Sequence, residues 1–151
     1  MSPSAAPWVI LCAEDDLDDQ VLTRDAFKES GFAIDVRFVH HGEELMDYLL
    51  GQGDYTDRSA PFPGLIVVDL NMPRMNGREA IRAIRAEPTL RRAPIAVLTT
   101  SRSREDIDEA YDLGANCYLV KPVSIDGMGH LLADLARYWF TTVELPRSVG
   151  V

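Results

Sequence analysis

Four polar segments of this chain each follow directly on a short apolar run. They are Glu14-Asp15-Asp16, Asp69, Thr99 and Lys121-Pro122. The apolar runs have almost no polar alternation, which is typical of strands buried on both faces of a parallel sheet. The carboxyl ends of such strands share one edge of the sheet, and ligands bind in the crevice there. We therefore expect carboxylates, a hydroxyl and an ammonium from distant parts of the chain to meet at one site.

The residue types at this predicted site are suited to metal binding and phosphoryl transfer. Carboxylates in one cleft repel one another unless a cation or a proton lies among them, and oxygen ligands of this kind suit Mg²⁺. A carboxylate can attack phosphorus to form an acyl phosphate, and nearby cationic and hydroxyl groups stabilise the transition state. Asp69 stands alone at a strand end and is the candidate nucleophile, which leaves the acidic triplet to hold the metal. Lys121 would supply positive charge and Thr99 a hydrogen-bond donor.

Predicted strands and helices alternate along the chain with short connections, which indicates five βα units in a parallel sheet. The first helix is predicted to have Asp16 as its N-cap and to stop at Gly31. Its predicted buried face consists of Leu17, Val21, Leu22 and Phe27. Asp18 and Asp19 are interpreted as acids that favour the positive end of this helix. Residues 52–64 are rich in Gly, Asp, Ser and Pro, and a long exposed loop is predicted there.

The charge balance argues against nucleic-acid binding. The chain has 15 basic and 24 acidic residues, hence a net charge of −9, and it lacks a polybasic segment that could neutralise phosphates. No apolar run approaches the roughly 20 residues that a membrane span needs, and the N-terminus does not read as a signal peptide. We expect a cytoplasmic protein that binds neither nucleic acid nor membrane. The two cysteines lack metal-ligand spacing and are interpreted as small buried residues.

Four longer strings around these motifs resemble the receiver domain of two-component response regulators. They are Ile10-Leu11-Cys12-Ala13-Glu14-Asp15, residues 67–77, Val97-Leu98-Thr99-Thr100-Ser101 and residues 114–122. The resemblance covers residues 8–140, and it leaves residues 1–7 as a flexible N-terminus and 141–151 as a C-terminal tail. It implies a single α/β domain with a flavodoxin-like (βα)5 doubly wound parallel sheet in the strand order 2-1-3-4-5. Helices one and five would cover one face, and helices two, three and four the other.

The resemblance also implies how phosphate and metal would bind. Asp69 would accept a phosphoryl group from a sensor histidine kinase. Asp15 and Asp69 would ligate Mg²⁺ directly, together with the backbone carbonyl of Asn71, and Glu14 would act through a metal-bound water. Lys121 would pair with the phosphoryl group.

A conformational switch is a further implication of the resemblance. Thr99 would move toward the phosphate, and Tyr118 would rotate into the space that Thr99 vacates, which would remodel the surface around the fourth helix and fifth strand. The Lys121–Pro122 peptide bond would be cis. Since the chain ends at Val151 without an output domain, partner binding or phosphate relay would be the output. The protein would not be an enzyme but a phosphoacceptor that promotes its own phosphorylation and dephosphorylation.

The C-terminal segment has more large apolar residues than the end of a helix needs for its own core. These residues are Tyr138, Trp139, Phe140, Val143 and Leu145. Unpaired apolar surface of this kind marks many interfaces, so we interpret the segment as a candidate interface. A tail that folds back on its own domain is the alternative. Together with the long loop before the third strand and the string Leu98-Thr99-Thr100-Ser101, the segment is similar to stand-alone regulators that work with phytochrome-type histidine kinases. This resemblance implies a symmetric homodimer with the segment at its contact.

Two functions from other classes remain open. A phosphohydrolase with an aspartyl nucleophile would need a second acid two residues after the nucleophile, where this chain has Asn71. A flavin-binding protein with the same strand order would need a phosphate-binding loop rich in glycine and hydroxyls after the first strand. Carboxylates occupy that place in this chain and would repel the phosphate.

Overall fold

The computed structural model describes residues 8–146, so the predictions for residues 1–7 and 147–151 lie outside the described residues. The strands are β1 (Trp8–Ala13), β2 (Ile34–Val39), β3 (Leu65–Val68), β4 (Ile95–Thr99) and β5 (Cys117–Val120). The helices are α1 (Leu17–Lys28), α2 (Gly42–Leu50), α3 (Gly77–Ala86), α4 (Arg104–Leu113) and α5 (Ile125–Arg137). Single turns of 3-10 and π helix lie at Gly53–Tyr55 and Tyr138–Thr142. No helix between residues 8 and 146 is long and apolar enough to cross a membrane.

The strands pair in parallel in the order β2-β1-β3-β4-β5. Ala13 at the end of β1 lies beside Val39 of β2 and Val68 of β3, and Val68 lies beside Val97 of β4. Because these strands end nearly level with one another, the residues that follow them share one edge of the sheet. The predicted flavodoxin-like fold and its strand order are confirmed.

Helices cover both faces of the sheet, which explains why the strands lack polar alternation. Successive side chains of a strand point to opposite faces. Leu11 and Val97 pack with apolar residues of α2, α3 and α4, whereas Ile10 and Ala96 pack with those of α1 and α5. The distribution of helices over the two faces is therefore the predicted one.

Helix α1 buries a different face from the one that hydropathy predicts. Leu17 and Val21 are 66% and 50% exposed, so their predicted burial was wrong, whereas Phe27 is buried as predicted. The buried residues of the helix are Gln20, Thr23, Ala26 and Phe27. Gln20 can be buried because its side-chain amide donates to the backbone carbonyl of Glu14 at 2.7 Å, and a paired polar group loses little on burial.

The Lys121–Pro122 peptide bond is trans, since no peptide bond within the described residues is cis. The cis form implied by the family resemblance was therefore wrong for this structure. Trans is the lower-energy isomer of an X–Pro bond by roughly 0.5–1 kcal/mol. The trans backbone still directs the lysine to the edge of the sheet, because the Lys121 N–H donates to the carbonyl of Thr99 at 2.8 Å.

The loop predicted at residues 52–64 is held against α2 by tyrosines. The Tyr48 hydroxyl donates to the carbonyl of Pro61 at 2.7 Å, and the Tyr55 hydroxyl donates to Glu44 Oε2 at 2.7 Å. The two tyrosine rings also pack together, with centroids 4.9 Å apart. The segment is thus an elaboration of the single domain, anchored at several points.

The C-terminal segment folds back on its own domain. Phe140 is buried and stacks on Trp8, with ring centroids 4.6 Å apart. Leu145 and Trp139 pack, partly buried, against the same apolar cluster between the sheet, α1 and α5. Tyr138 remains 53% exposed. Phe140 and Leu145 therefore pack on their own domain, as the fold-back alternative predicts, whereas Tyr138 lies at the surface.

Replacement of Phe140 by alanine should lower the free energy of unfolding by about 3–5 kcal/mol, because it removes a buried ring and leaves a cavity. Urea denaturation followed by circular dichroism would measure the change. Tyr138→Ala is the matched control, two residues away on an exposed ring, and should change stability by less than about 1 kcal/mol. Equal effects of the two substitutions would contradict the packing role of Phe140.

Candidate functional site

Side chains from four elements meet around the ammonium of Lys121, at the edge of the sheet where the strands end. Lys121 Nζ donates to Glu14 Oε1 at 2.6 Å and to Asp69 Oδ2 at 3.0 Å. It also donates to Asp19 Oδ2 in α1 at 2.9 Å. The predicted meeting of the residues that follow β1, β3 and β5 is therefore observed. Asp15, by contrast, is exposed and makes no hydrogen bond or ion pair with another described residue.

The burial of this cluster shapes its electrostatics. The Lys121 side chain is only 6% exposed, and a buried charge needs oppositely charged or polar partners. Burial alone would lower the pKa of Lys121, but the hydrogen bond that it donates to Glu14 and the charge of Asp69 outweigh this effect and raise that pKa. Burial raises the pKa of Glu14 to about 7, against the opposing effect of the lysine. Lys121 is thus a fixed positive charge at neutral pH.

Both carboxylate oxygens of Asp69 are held in place. Oδ1 accepts the backbone N–H of Asn71 at 3.0 Å, while Oδ2 accepts Lys121 Nζ. The backbone N–H of Asp69 donates to the carbonyl of Ala13 at 3.1 Å, which ties β3 to β1 at this point. The carboxylate of the predicted nucleophile therefore has a defined orientation.

Gly77 allows α3 to begin directly against the backbone of Asp69. Its N–H donates to the carbonyl of Leu70 at 3.1 Å. A Cβ at this position would lie 2.8 Å from the Cα of Leu70 and closer still to the carbonyl oxygen of Asp69. The adjacent Asn76 caps the helix in a reciprocal capping box with Glu79. The loop after β3 thus has little freedom to move relative to α3.

Thr99, at the end of β4, has a hydroxyl that lacks a partner. The residue is fully buried, and its Oγ1 is the one buried side-chain polar atom among residues 8–146 without a hydrogen bond. A buried polar group left unpaired costs roughly 1–3 kcal/mol. The arrangement therefore favours any acceptor that enters beside β4.

Tyr118 is linked to α3 and α4 through the loop that follows β4. Its hydroxyl donates to the carbonyl of Ser101 at 3.0 Å, and the Ser101 hydroxyl donates to Asp106 Oδ2 at 2.5 Å. The other oxygen of Asp106 accepts Arg78 from α3 at 2.9 Å. The hydrogen bond from Ser101 and the Arg78 guanidinium lower the pKa of Asp106. In this structure the Tyr118 ring is half-buried and packs against the core beneath α2, α3 and α4.

The carboxylate and carbonyl oxygens around Asp69 are suitable ligands for a divalent metal ion. Mg²⁺ needs only one or two carboxylates and retains several waters. Within residues 8–146 no three His, Cys, Asp or Glu side chains are gathered as a metal cluster. Three carboxylates nevertheless face the single positive charge of Lys121, and Asp15 and Asn71 lie exposed beside them. The negative charge at this edge therefore exceeds what the lysine can neutralise.

Asp19 is the member of this cluster that the sequence analysis missed. We interpreted it as an acid that only favours the helix N-terminus, yet its side chain contacts Lys121. The spacing of Asp19 from Asp15 could have indicated this contact. Asp19 lies one helical turn after Asp15, so a helix that begins at Leu17 brings it back toward the end of β1.

Comparison with known proteins identifies the class. Residues 10–133 match the response regulator receiver domain, and the chain belongs to that family. The predicted resemblance is thereby confirmed.

The individual relatives are response regulators, and one of them, RcpA, is a cyanobacterial phytochrome response regulator. The chain is 36% identical to response regulator Rcp1 of Synechocystis over 145 residues, which cover 96% of this chain and 97% of Rcp1. It superposes on the phosphorylated cyanobacterial phytochrome response regulator RcpA with a TM-score of 0.86 and 36% identity, over 93% of this chain and 99% of RcpA. For RPA3017, a response regulator in red light signalling of R. palustris, the TM-score is 0.89 at 37% identity, with the same coverage of 93% and 99%. The Mn²⁺-bound form of Rcp1 gives a TM-score of 0.83 at 36% identity, again over 93% and 99%.

Replacement of Gly77 by alanine should lower the free energy of unfolding by about 1–3 kcal/mol, because the added methyl group is opposed by backbone atoms that cannot rotate away. Urea denaturation would measure it. Gly129→Ala is the matched control, since nothing lies within 4 Å of a Cβ there and alanine favours the interior of α5. If both substitutions left stability unchanged, the close approach of α3 to Asp69 would be wrong.

Proposed function

We propose that Asp69 accepts a phosphoryl group from a sensor histidine kinase in a Mg²⁺-dependent reaction, and that the acyl phosphate switches the surface of the domain. The observation that carries this proposal is the carboxylate of Asp69, held by Asn71 and Lys121 at the sheet edge where Thr99 lies with an unpaired hydroxyl. An oxygen of Asp69 forms the new P–O bond. The P–N bond of the kinase phosphohistidine breaks, and the imidazole nitrogen leaves with the electron pair.

Lys121 and the metal would share the charge of the transferring group. Lys121 is already within hydrogen-bond distance of Asp69 and would pair with a phosphoryl oxygen. Mg²⁺ would be held by Asp15, Asp69 and the backbone carbonyl of Asn71, with Glu14 acting through a water. When bound, it supplies positive charge to the phosphoryl oxygens. The Mn²⁺-bound form of the relative Rcp1 supports a divalent ion in this family.

Thr99 and Tyr118 would form the switch. A phosphoryl group on Asp69 offers acceptor oxygens to the unpaired hydroxyl of Thr99, which gains a charge-assisted hydrogen bond if the end of β4 moves inward. Ser101 lies two residues further on and accepts the hydroxyl of Tyr118. Movement of this loop would thus change the position of Tyr118 and the surface around α4 and β5.

A phytochrome-type histidine kinase is the proposed phosphodonor. The relatives RcpA and RPA3017 are regulators of phytochrome and red-light signalling, and their structures cover nearly the whole chain. Next to the site, the exposed side chains of Leu17, Val21, Val123 and Ile125 offer apolar contact to a docking protein. These residues flank the acidic segment after β1 and the lysine after β5. A phosphohistidine presented there would reach Asp69.

The competing phosphohydrolase function lacks a second acid. Asn71 occupies the position two residues after Asp69, and its backbone N–H orients the nucleophile. An amide side chain cannot serve as the general acid or base that turnover requires. We therefore infer a domain that holds the phosphoryl group and hydrolyses it slowly, not one that turns over many substrate molecules.

We further propose that two copies of the domain associate through the C-terminal segment. A groove of about 440 Å³ lies between β5, α5 and this segment. The residues that line it include Leu119, Leu131, Tyr138, Trp139 and Val143. Phe140 and Leu145, named with them in the sequence analysis, contribute by packing the segment onto its own domain. A self-complementary apolar patch is what a two-fold contact needs.

Asp69→Asn should abolish labelling by acetyl phosphate in the presence of Mg²⁺, because an amide cannot attack phosphorus, and it should leave the fold unchanged. Intact-mass spectrometry would measure the gain of one phosphoryl group. Asp112→Asn, an exposed acid in α4, is the control and should be labelled like the wild type. Full labelling of Asp69→Asn would disprove the assignment, and steady turnover of small phosphate esters would favour the phosphohydrolase.

Tyr138→Ala should weaken self-association about tenfold or more, because a large exposed ring is removed from the proposed contact. Sedimentation velocity across a concentration series would measure it. Val21→Ala removes exposed apolar surface from α1 instead and should leave association unchanged. A monomeric wild-type protein at all concentrations would rule out the dimer without affecting the phosphoacceptor function.

A further inference from the structure

All three N–H donors of the Lys121 ammonium are used by carboxylates. They go to Glu14 at 2.6 Å, Asp19 at 2.9 Å and Asp69 at 3.0 Å. A lysine ammonium has three donors and no more. A phosphoryl oxygen that pairs with Lys121 must therefore displace one of these carboxylates from its hydrogen bond.

Asp19 is the carboxylate that can leave most easily. Glu14 is 9% exposed and also accepts the backbone N–H of Asp16 at 3.1 Å, so its release would leave a buried acid without its main partner. Asp69 carries the phosphoryl group itself and stays at the site. Asp19 is 34% exposed, and its carboxylate makes no other ion pair with residues 8–146, so water can replace the lysine.

The charge of Asp19 also acts on the incoming donor. Its carboxylate lies at the lysine nitrogen where the negative oxygens of a phosphodonor must gather. Like charges at such distances repel, although the exposure of Asp19 to water weakens the effect. Asp19 therefore opposes phosphorylation in two ways. It competes with a phosphoryl oxygen for an N–H of Lys121, and its charge repels the phosphodonor.

We propose that Asp19 restrains the phosphorylation of Asp69 by occupying the third donor of Lys121, and that a phosphoryl oxygen displaces it. The proposal rests on the phosphoacceptor function of Asp69. Asp19 is a positioning residue that acts through Lys121 and does not touch the reacting atoms. In the transfer, the Asp69 oxygen forms a bond to phosphorus, the bond from phosphorus to the leaving group breaks, and the lysine exchanges a carboxylate oxygen for a phosphoryl oxygen.

Asp19→Asn tests this role, since the amide keeps the shape and removes the charge. At saturating Mg²⁺, the initial rate of labelling by acetyl phosphate should rise about two- to fivefold, the effect expected for an ion pair with one exposed partner. The apparent affinity for beryllofluoride, a stable mimic of the phosphoryl group, should rise by a similar factor. Asp19→Glu restores a carboxylate and should return both values toward those of the wild type.

Asp18→Asn is the matched control. It removes the same charge from the first turn of α1, but Asp18 is exposed and is not a partner of Lys121. Equal acceleration by Asp18→Asn would assign the effect to general charge and overturn the proposal. A slower reaction in Asp19→Asn would also overturn it, because Asp19 would then promote the transfer instead of restraining it. If the wild type itself is not labelled on Asp69, the phosphoacceptor function fails, and that result is distinct from both.

Discussion

A buried ammonium governs the structure of this site. Lys121 is taken out of water at the edge of the sheet, and the cost of burying its charge is offset only if several acceptors surround it. The acceptors come from the end of β1, from α1 and from the end of β3, while the lysine follows β5. One side chain therefore joins segments that lie far apart in the chain, and it holds an excess of negative charge in a small volume.

The parallel sheet brings these side chains together with few other structural features. Parallel strands that end nearly level bring their following residues to one edge, so Glu14 and Asp69 need only short side chains to reach the lysine. The loop after β3 is the demanding part, because α3 must begin against the backbone of Asp69. Gly77 removes the steric obstacle, and the hydrogen bond from Asn71 orients the carboxylate. Precision at the site thus depends on backbone contacts that no other residue type at position 77 allows.

The fold and most of the site were predictable because they depend on features local in sequence. An apolar run followed by Asp69 or Lys121 indicates a buried strand end, and the order of such ends defines the sheet. The predictions that were wrong concern features that depend on contacts between elements. The face of α1 follows from the pairing of Gln20 with the end of β1, which hydropathy cannot register. The contact of Asp19 with Lys121 depends on the rotation of that same helix, so both errors have one origin.

The route by which a change at Asp69 could reach the surface follows from the hydrogen bonds beyond β4. The hydroxyl of Thr99 has no partner within residues 8–146, so it can respond to a new acceptor without breaking an existing bond. Two residues later, Ser101 holds Tyr118 through its carbonyl and Asp106 through its hydroxyl. A shift of this loop would therefore act on the hydrogen bonds to both Tyr118 in β5 and Asp106 in α4. Because Arg78 ties Asp106 to α3, which begins against the backbone of Asp69, α4 is connected to the site from two directions.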